Sequence, residues 1–181
     1  GKAPQQLEIC AEGEIAEQDS RILTLSVLKG FFGAISDEPV TYVNAPQLAK
    51  EKGVEVREVK TSDSQDYVNL LTLRCDGHAI AGTLTGRRSE QRIVMVEDHT
   101  TDVPPAEHML VVRNDDRPGV IGLVGTLLGN HNVNIADMDV GRALTPGTAV
   151  MVIAPTAEVT EDVQNELRAA PGIIEVIALR G

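Results

Sequence analysis

Apolar residues recur along this chain in two rhythms, every second residue or every third and fourth, and the switches between them mark out its elements. The apolar run Met109 to Val112 stops at Asn114-Asp115-Asp116, and Pro118 follows at the place of a first helical residue, where its missing N–H costs nothing. From Val120 onward Ile121, Leu123, Val124, Leu127 and Leu128 fall at three- and four-residue spacings, which predicts one buried helical face ended by Gly129-Asn130 and Asn132. Val133 to Val140 then alternates, with Met138 and Val140 set against Asp137 and Asp139, the period of a half-buried strand. Leu144-Thr145-Pro146-Gly147 has turn chemistry, and Thr148 to Ile153 is a β-rich run. Glu161 to Ala170 favours helix, Pro171-Gly172 breaks it, and Ile173 to Leu179 reads as a last strand.

The order βαββαβ predicts a ferredoxin-like unit over residues 105–181. The segment before it, 1–104 with its linker, reads as a second α/β sandwich, so the fold class is α+β with two domains. In that segment Gln6 to Ala16 predicts a strand, Asp19 or Ser20 a helix cap, and Ile22 to Phe32 a helix with Gly33 near its end. Pro39 to Val43 reads as a short strand, and Asn44-Ala45-Pro46 leads a brief helix to Lys52-Gly53. Strands follow at Val54 to Lys60, Tyr67 to Cys75, Ala79 to Leu84 and Arg92 to Glu97, with Asp76-Gly77 as a hairpin turn and Asp98 to Pro105 as linker.

Charge narrows the partners. The 181 residues carry a net charge of −11 and a pI near 4.7, which argues against nucleic acid and anionic membrane surfaces. No apolar run reaches the length of a membrane span and no signal segment opens the chain, so a cytoplasmic location is expected. Cys10 and Cys75 read as small packing residues; His78, His99, His108 and His131 show no metal-ligand spacing and read as surface residues. No G-x-G-x-x-G follows a strand and no serine sits in a G-x-S-x-G setting, so neither a catalytic residue nor a cofactor is expected here.

What the chain does offer is a place for a zwitterion. The helix opening near Pro118 presents free N–H groups to a carboxylate, Gly119 permits close approach, and Asp116 supplies an acceptor for an ammonium. Asn114 and Asn134 carry amides able to donate or accept, each at a strand end expected to flank that helix terminus. The plainer alternative makes Asp116 a helix cap and the two asparagines loop residues. A second candidate is an anion site: Arg87, Arg88 and Arg92 gather three guanidinium groups within seven residues, with Asn44 and Lys50 as weaker members. Its alternative is a solvated turn pairing with Glu90 or Glu97.

The stretch D-R-P-G-V followed by V-N-I-A, over Glu107 to Gly181, resembles the ACT domain, a ligand-binding module attached to enzymes of amino-acid metabolism. Upstream, L-E-I-C-A-E-G-E-I-A, T-L-S-V-L-K-G-F-F, V-T-Y-V-N-A-P-Q-L-A-K-E-K-G-V and A-G-T-L-T-G resemble the allosteric substrate-binding domain preceding ACT in long forms of D-3-phosphoglycerate dehydrogenase. The resemblance implies a regulatory C-terminal piece of an NAD-dependent oxidoreductase of serine synthesis, an expectation that a chain opening on Gly1 also suits. It implies L-serine as effector, held at the interface of two ACT units in a homodimer or homotetramer and acting on the protein's own catalytic domains. Asn114 and Asp116 would come from one subunit and Asn134 from the other, with Pro118, Gly119, Val120 and Ile135 completing the effector-binding set; relatives usually place histidine or tyrosine at the position of Asn114. Two other readings stand beside it. One is a ligand-free oligomerisation module; the other is the regulatory region of an L-serine dehydratase, whose Ser-Ser-Ser-His-Thr signature does not occur here.

Overall fold

Gly13 ends the first strand. It sits at φ 86, and a Cβ there would lie 2.0 Å from the Val68 carbonyl oxygen, so the chain turns at a residue only glycine can occupy. The strand is therefore β1, Gln6–Gly13, and the expected extension to Ala16 is a 3-10 turn, Glu14–Glu17. In this computed structural model, which describes residues 3–142 and 147–180, the chain divides into two compact units, 1–83 and 84–181. The division expected at residue 104 differs from this one by a single hairpin.

In the first unit β1 is followed by α1 (Arg21–Ile35), α2 (Ala45–Glu51), β2 (Glu55–Thr61), β3 (Asn69–Cys75) and β4, which begins at His78. The strand order is β2-β1-β3-β4, with β2 parallel to β1 and the other pairs antiparallel. Alternation places Leu7, Ile9 and Ala11 of β1 inward, all nearly inaccessible, while α1 adds Leu28 and Phe32 and α2 adds Ala49. Asp76 and Gly77 adopt φ 47 and 86, the left-handed pair that a tight hairpin between β3 and β4 demands. The strand expected at Pro39 to Val43 does not form. Asn44 instead closes a turn there, accepting from the Thr41 N–H at 2.7 Å and donating to the Pro39 carbonyl at 3.0 Å.

The second unit holds the hairpin β5 (Glu90–Val96) and β6 (His99–Val103), then β7 (His108–Asn114), α3 (Val120–Asn130), β8 (Ile135–Arg142), β9 (Ala149–Pro155), α4 (Glu161–Ala169) and β10 (Ile173–Arg180). The last six form the expected βαββαβ unit, with sheet order β10-β7-β9-β8. One core fills the space between sheet and helices: Leu110 and Val112, Met151 and Ile153, Val124 and Leu128, Val163 and Leu167. All seven residues of β9 are buried. Of the expected turn at 144–147, Leu144, Thr145 and Pro146 lie outside the described residues; Gly147 has φ 109.

Strand β6 replaces the expected linker. Its residues His99, Thr101 and Val103 are buried, so His99 is not the surface residue its sequence context suggests. β6 packs on β8 and β9. The approach is close at Gly141, where a Cβ would meet the Thr100 carbonyl oxygen at 2.4 Å and Thr101 Cγ2 at 2.9 Å. The Asp102 N–H donates to Asp139 of β8 at 2.9 Å.

Among the described residues no helix is long and apolar enough to cross a membrane. No group of three or more His, Cys, Asp or Glu among them is placed to hold a metal ion.

Candidate functional site

The loop between β7 and α3 is shaped by one buried amide. Asn114 is 2% exposed, its Nδ2 donates to the Ala149 carbonyl at 3.1 Å, and its Oδ1 accepts from the Asp116 N–H at 3.0 Å. That bond holds Asp116 at φ 48, a left-handed conformation aspartate tolerates better than most residues. Asn114 therefore serves first as the strap of the loop, with one amide hydrogen left over.

The helix begins two residues later than Pro118 suggested. Val120 is its first residue and Gly119, at φ 95, is the cap, so glycine here is dictated by backbone conformation as well as by access. The next N–H groups, of Ile121 and Gly122, lack intrahelical acceptors by the geometry of any α-helix. The start of the helix borders a depression of about 330 Å³ lined by Arg117, Pro118, Gly119, Val120, Leu123 and Pro171. Arg117 is steered by Asp115, 2.5 Å from its Nε, and the Asp115 N–H donates to the Gly172 carbonyl at 3.0 Å. Gly172 sits at φ 88, and a Cβ on it would stand 2.7 Å from Asp115 Oδ1 and 3.1 Å from Arg117 Nη2. The α4–β10 turn thus forms the second wall, with a guanidinium beside the positive end of a helix. Such a mouth suits a carboxylate.

Three of the expected residues, Pro118, Gly119 and Val120, meet at this depression; Asp116 is exposed on the adjoining loop. Asn134 and Ile135 do not flank it within one chain. Asn114 pairs with Ala149, whereas Ile135 pairs with Pro155, six residues further along β9. At ~3.3 Å per residue the two ends lie about 20 Å apart along the sheet. The reason is topological: α3 carries the chain back to the start of β7, so β8 begins at the far end. Asn134 is exposed there, its carbonyl accepting from the Thr156 N–H at 2.9 Å. Arg117, Leu123 and Pro171 line the depression without having been expected at the site, although Arg117 lies inside D-R-P-G. Ile121, expected inward, is 49% exposed because the buried stripe runs through Val120, Val124, Leu127 and Leu128.

The candidate anion residues are each committed or exposed where they stand. The amide of Asn44 is spent on the turn before α2. The Arg92 Nε meets Asp102 at 2.6 Å and its Nη2 donates to the Asp102 carbonyl at 2.7 Å. The hydrogen bond to Asp102 raises the Arg92 pKa. Arg87 and Arg88 are exposed on the β4–β5 turn, and Lys50 is exposed in the last turn of α2. Burial is the main cause that raises the thiol pKa of both Cys10 and Cys75, as packing residues require.

Comparison with known proteins decides the family. The model for the D-3-phosphoglycerate dehydrogenase intervening domain matches residues 2–97, and the ACT domain model matches residues 108–172. The chain belongs to the D-3-phosphoglycerate dehydrogenase intervening-domain family. Its C-terminal unit carries an ACT domain. A D-3-phosphoglycerate dehydrogenase of Synechocystis is 35% identical over 180 residues, 97% of this chain but 32% of that protein. That of Mycobacterium leprae is 36% identical over 172 residues, covering 92% of this chain and 33% of the relative. That of Bacillus subtilis is 32% identical over 175 residues, again 33% of its length. The chain therefore spans about a third of the curated relatives it matches. Among solved structures, the ACT domain from GTP pyrophosphokinase of Chlorobium tepidum aligns at 16% identity and TM-score 0.30 over 40% of this chain and 95% of that one.

Proposed function

We propose that this chain is the effector-sensing region of an NAD-dependent D-3-phosphoglycerate dehydrogenase, and that L-serine bound between two ACT units restrains the catalytic domains elsewhere in the protein. The observation that carries this reading is the depression at the start of α3, where Arg117 stands beside the first turn of the helix inside a matched ACT domain. The serine carboxylate is received there, and Asp116 accepts its ammonium while Asn114 fixes the loop. Asn134 and Ile135 reach the same ligand from a second chain, since in their own they stand at the far end of the sheet. The domains of this reading are 1–104 and 105–181, the assembly a homodimer or homotetramer, the location cytoplasmic, and the chain itself without catalysis.

A ligand bridging two chains favours one arrangement of the ACT pair and shifts the protein only by its differential affinity for the two states. Calorimetric titration with L-serine, alongside glycine, D-serine and inorganic phosphate, tests the proposal. Selective L-serine binding that is lost in both Asp116→Ala and Asn134→Ala supports it. Unchanged binding in those variants overturns the site; no binding by any amino acid favours a pure assembly module, and phosphate binding lost on replacing Arg87 and Arg88 would establish the anion site.

A further inference from the structure

The first unit contains a groove that none of the foregoing uses. A hollow of about 460 Å³ lies between α1, α2 and the edge strand β2. Its floor is apolar. Leu25 and Leu28 come from α1, Ala49 from α2, and Val54 and Val56 from the approach to β2 and its second residue. Leu28, Ala49 and Val54 are buried to within a few per cent, whereas Leu25 and Val56 are only half-buried and so remain available to a guest. The placement follows from local periodicity. Arg21, Thr24, Leu25 and Leu28 form one helical stripe, and Val56 and Glu58 share the strand face that pairs beside the inward Leu7 and Ile9.

The rim carries both signs of charge. Glu58 accepts from Thr24 Oγ1 at 2.7 Å and from Ser20 Oγ at 3.5 Å. Those two bonds orient the carboxylate and occupy about half of its roughly four lone-pair positions. Arg21, on the same rim, is occupied by Asp19. The Lys50 ammonium makes no hydrogen bond or ion pair with a described residue, and Lys50 stands in the last turn of α2 at the edge of the same hollow. A pre-oriented carboxylate, an uncommitted ammonium and an aliphatic floor in one hollow of this volume are the parts of a small-ligand site.

We propose that this groove binds a free α-amino acid with an aliphatic side chain. The ligand ammonium bonds Glu58, its carboxylate meets Lys50, and its side chain lies on Leu25, Leu28, Val54 and Val56. A simple carboxylate would face Glu58 unpaired, and a simple amine would face Lys50, so the zwitterion is the species the rim selects. The site lies wholly in the first unit and is independent of the ACT reading.

The test is a methyl NMR titration of the full 181-residue chain with L-leucine, with 4-methylpentanoate and 3-methylbutylamine as the two half-ligands. L-leucine at millimolar concentration is expected to shift the methyls of Leu25, Leu28, Val54 and Val56 saturably, and each half-ligand to bind at least about tenfold more weakly. Lys50→Met, and Glu58→Gln, which keeps an acceptor for Thr24, should each weaken L-leucine by about tenfold or more. Shifts confined to Val120 and Leu123 would place the ligand at the ACT depression and overturn the proposal. Absence of any shift at the four groove residues, equal binding of the half-ligands, or unchanged affinity in both variants would overturn it as well.

Discussion

Replacing Gly141 by alanine should unseat β6 from the ACT sheet. The added Cβ would lie 2.4 Å from the Thr100 carbonyl oxygen, 2.9 Å from Thr101 Cγ2 and 3.2 Å from His99 Cβ. The nearest atom is backbone, so no rotamer change relieves the contact; β6 must move by more than half an ångström to restore ordinary van der Waals separation. Beneath it lie Val103, His99 and Thr101, none more than 2% exposed, together with the Asp102–Asp139 bond that ties β6 to β8. Overpacking of this kind costs about 1–3 kcal/mol. For a chain of this length that lowers Tm by roughly 4–8 °C if the cost is about 2 kcal/mol. Differential scanning calorimetry measures it, with Gly122→Ala as the control: no atom lies within 4 Å of a Cβ there, the site is exposed on α3, and alanine should stabilise by about 0.5–1 kcal/mol. A Gly141→Ala protein melting at or above the wild type, with Gly122→Ala behaving as stated, would refute the close packing of β6 on β8.

Asn114→Ala strips the Ala149 carbonyl and the Asp116 N–H of their buried partner, and should cost about 2 kcal/mol by urea unfolding; a change under about 0.5 kcal/mol would show that the amide is not the strap of the loop. Asp19, fully exposed, titrates at about 2 instead of the usual 3.8 because the Arg21 side chain and backbone N–H donate to it. A lowered folded-state value means that its small stabilising contribution is present above about pH 4 and disappears as pH falls through 2. Carboxyl NMR should show that low midpoint, and Arg21→Ala should return it toward 3.8; a wild-type midpoint already at 3.8 would contradict the pairing. The Cys10 and Cys75 thiols, both raised above 9.0, should react slowly with a disulfide reagent at neutral pH. Their rate should climb about tenfold per pH unit to pH 9, and a plateau below pH 8 would rule out the raised values.

Alternation and helical spacing made the βαββαβ unit readable in full, because its inward positions are almost all aliphatic: Leu110, Val112, Val124, Leu128, Met151 and Ile153. Where buried positions are polar, the pattern misleads. β6 reads H-T-T-D-V, and its inward residues include His99 and Thr101, so the strand passed as linker. The opposite failure occurs at Pro39 to Val43, whose β-favouring residues are overruled by the Asn44 side chain bonding back to Thr41 and Pro39. At the site, D-R-P-G gave Pro118 and Gly119 their places, yet Pro171 was beyond reach because it joins the depression only through sheet pairing of β10 with β7. Asn134 was assigned to the wrong end of the sheet for a related reason: strand direction is a property of the fold, and no residue near position 134 encodes it.

The 20 Å between the two ends of the ACT sheet makes the proposed effector site divisible. Under two-fold symmetry each dimer holds two copies, every one assembled from the Asp116 end of one chain and the Asn134 end of the other. On that proposal a chain lacking Asp116 and a chain lacking Asn134 would each be inert as homodimers. Mixed, they would form a heterodimer in which both lesions fall in the same copy and the other copy is wholly native, so two defective proteins would complement each other in a single tube.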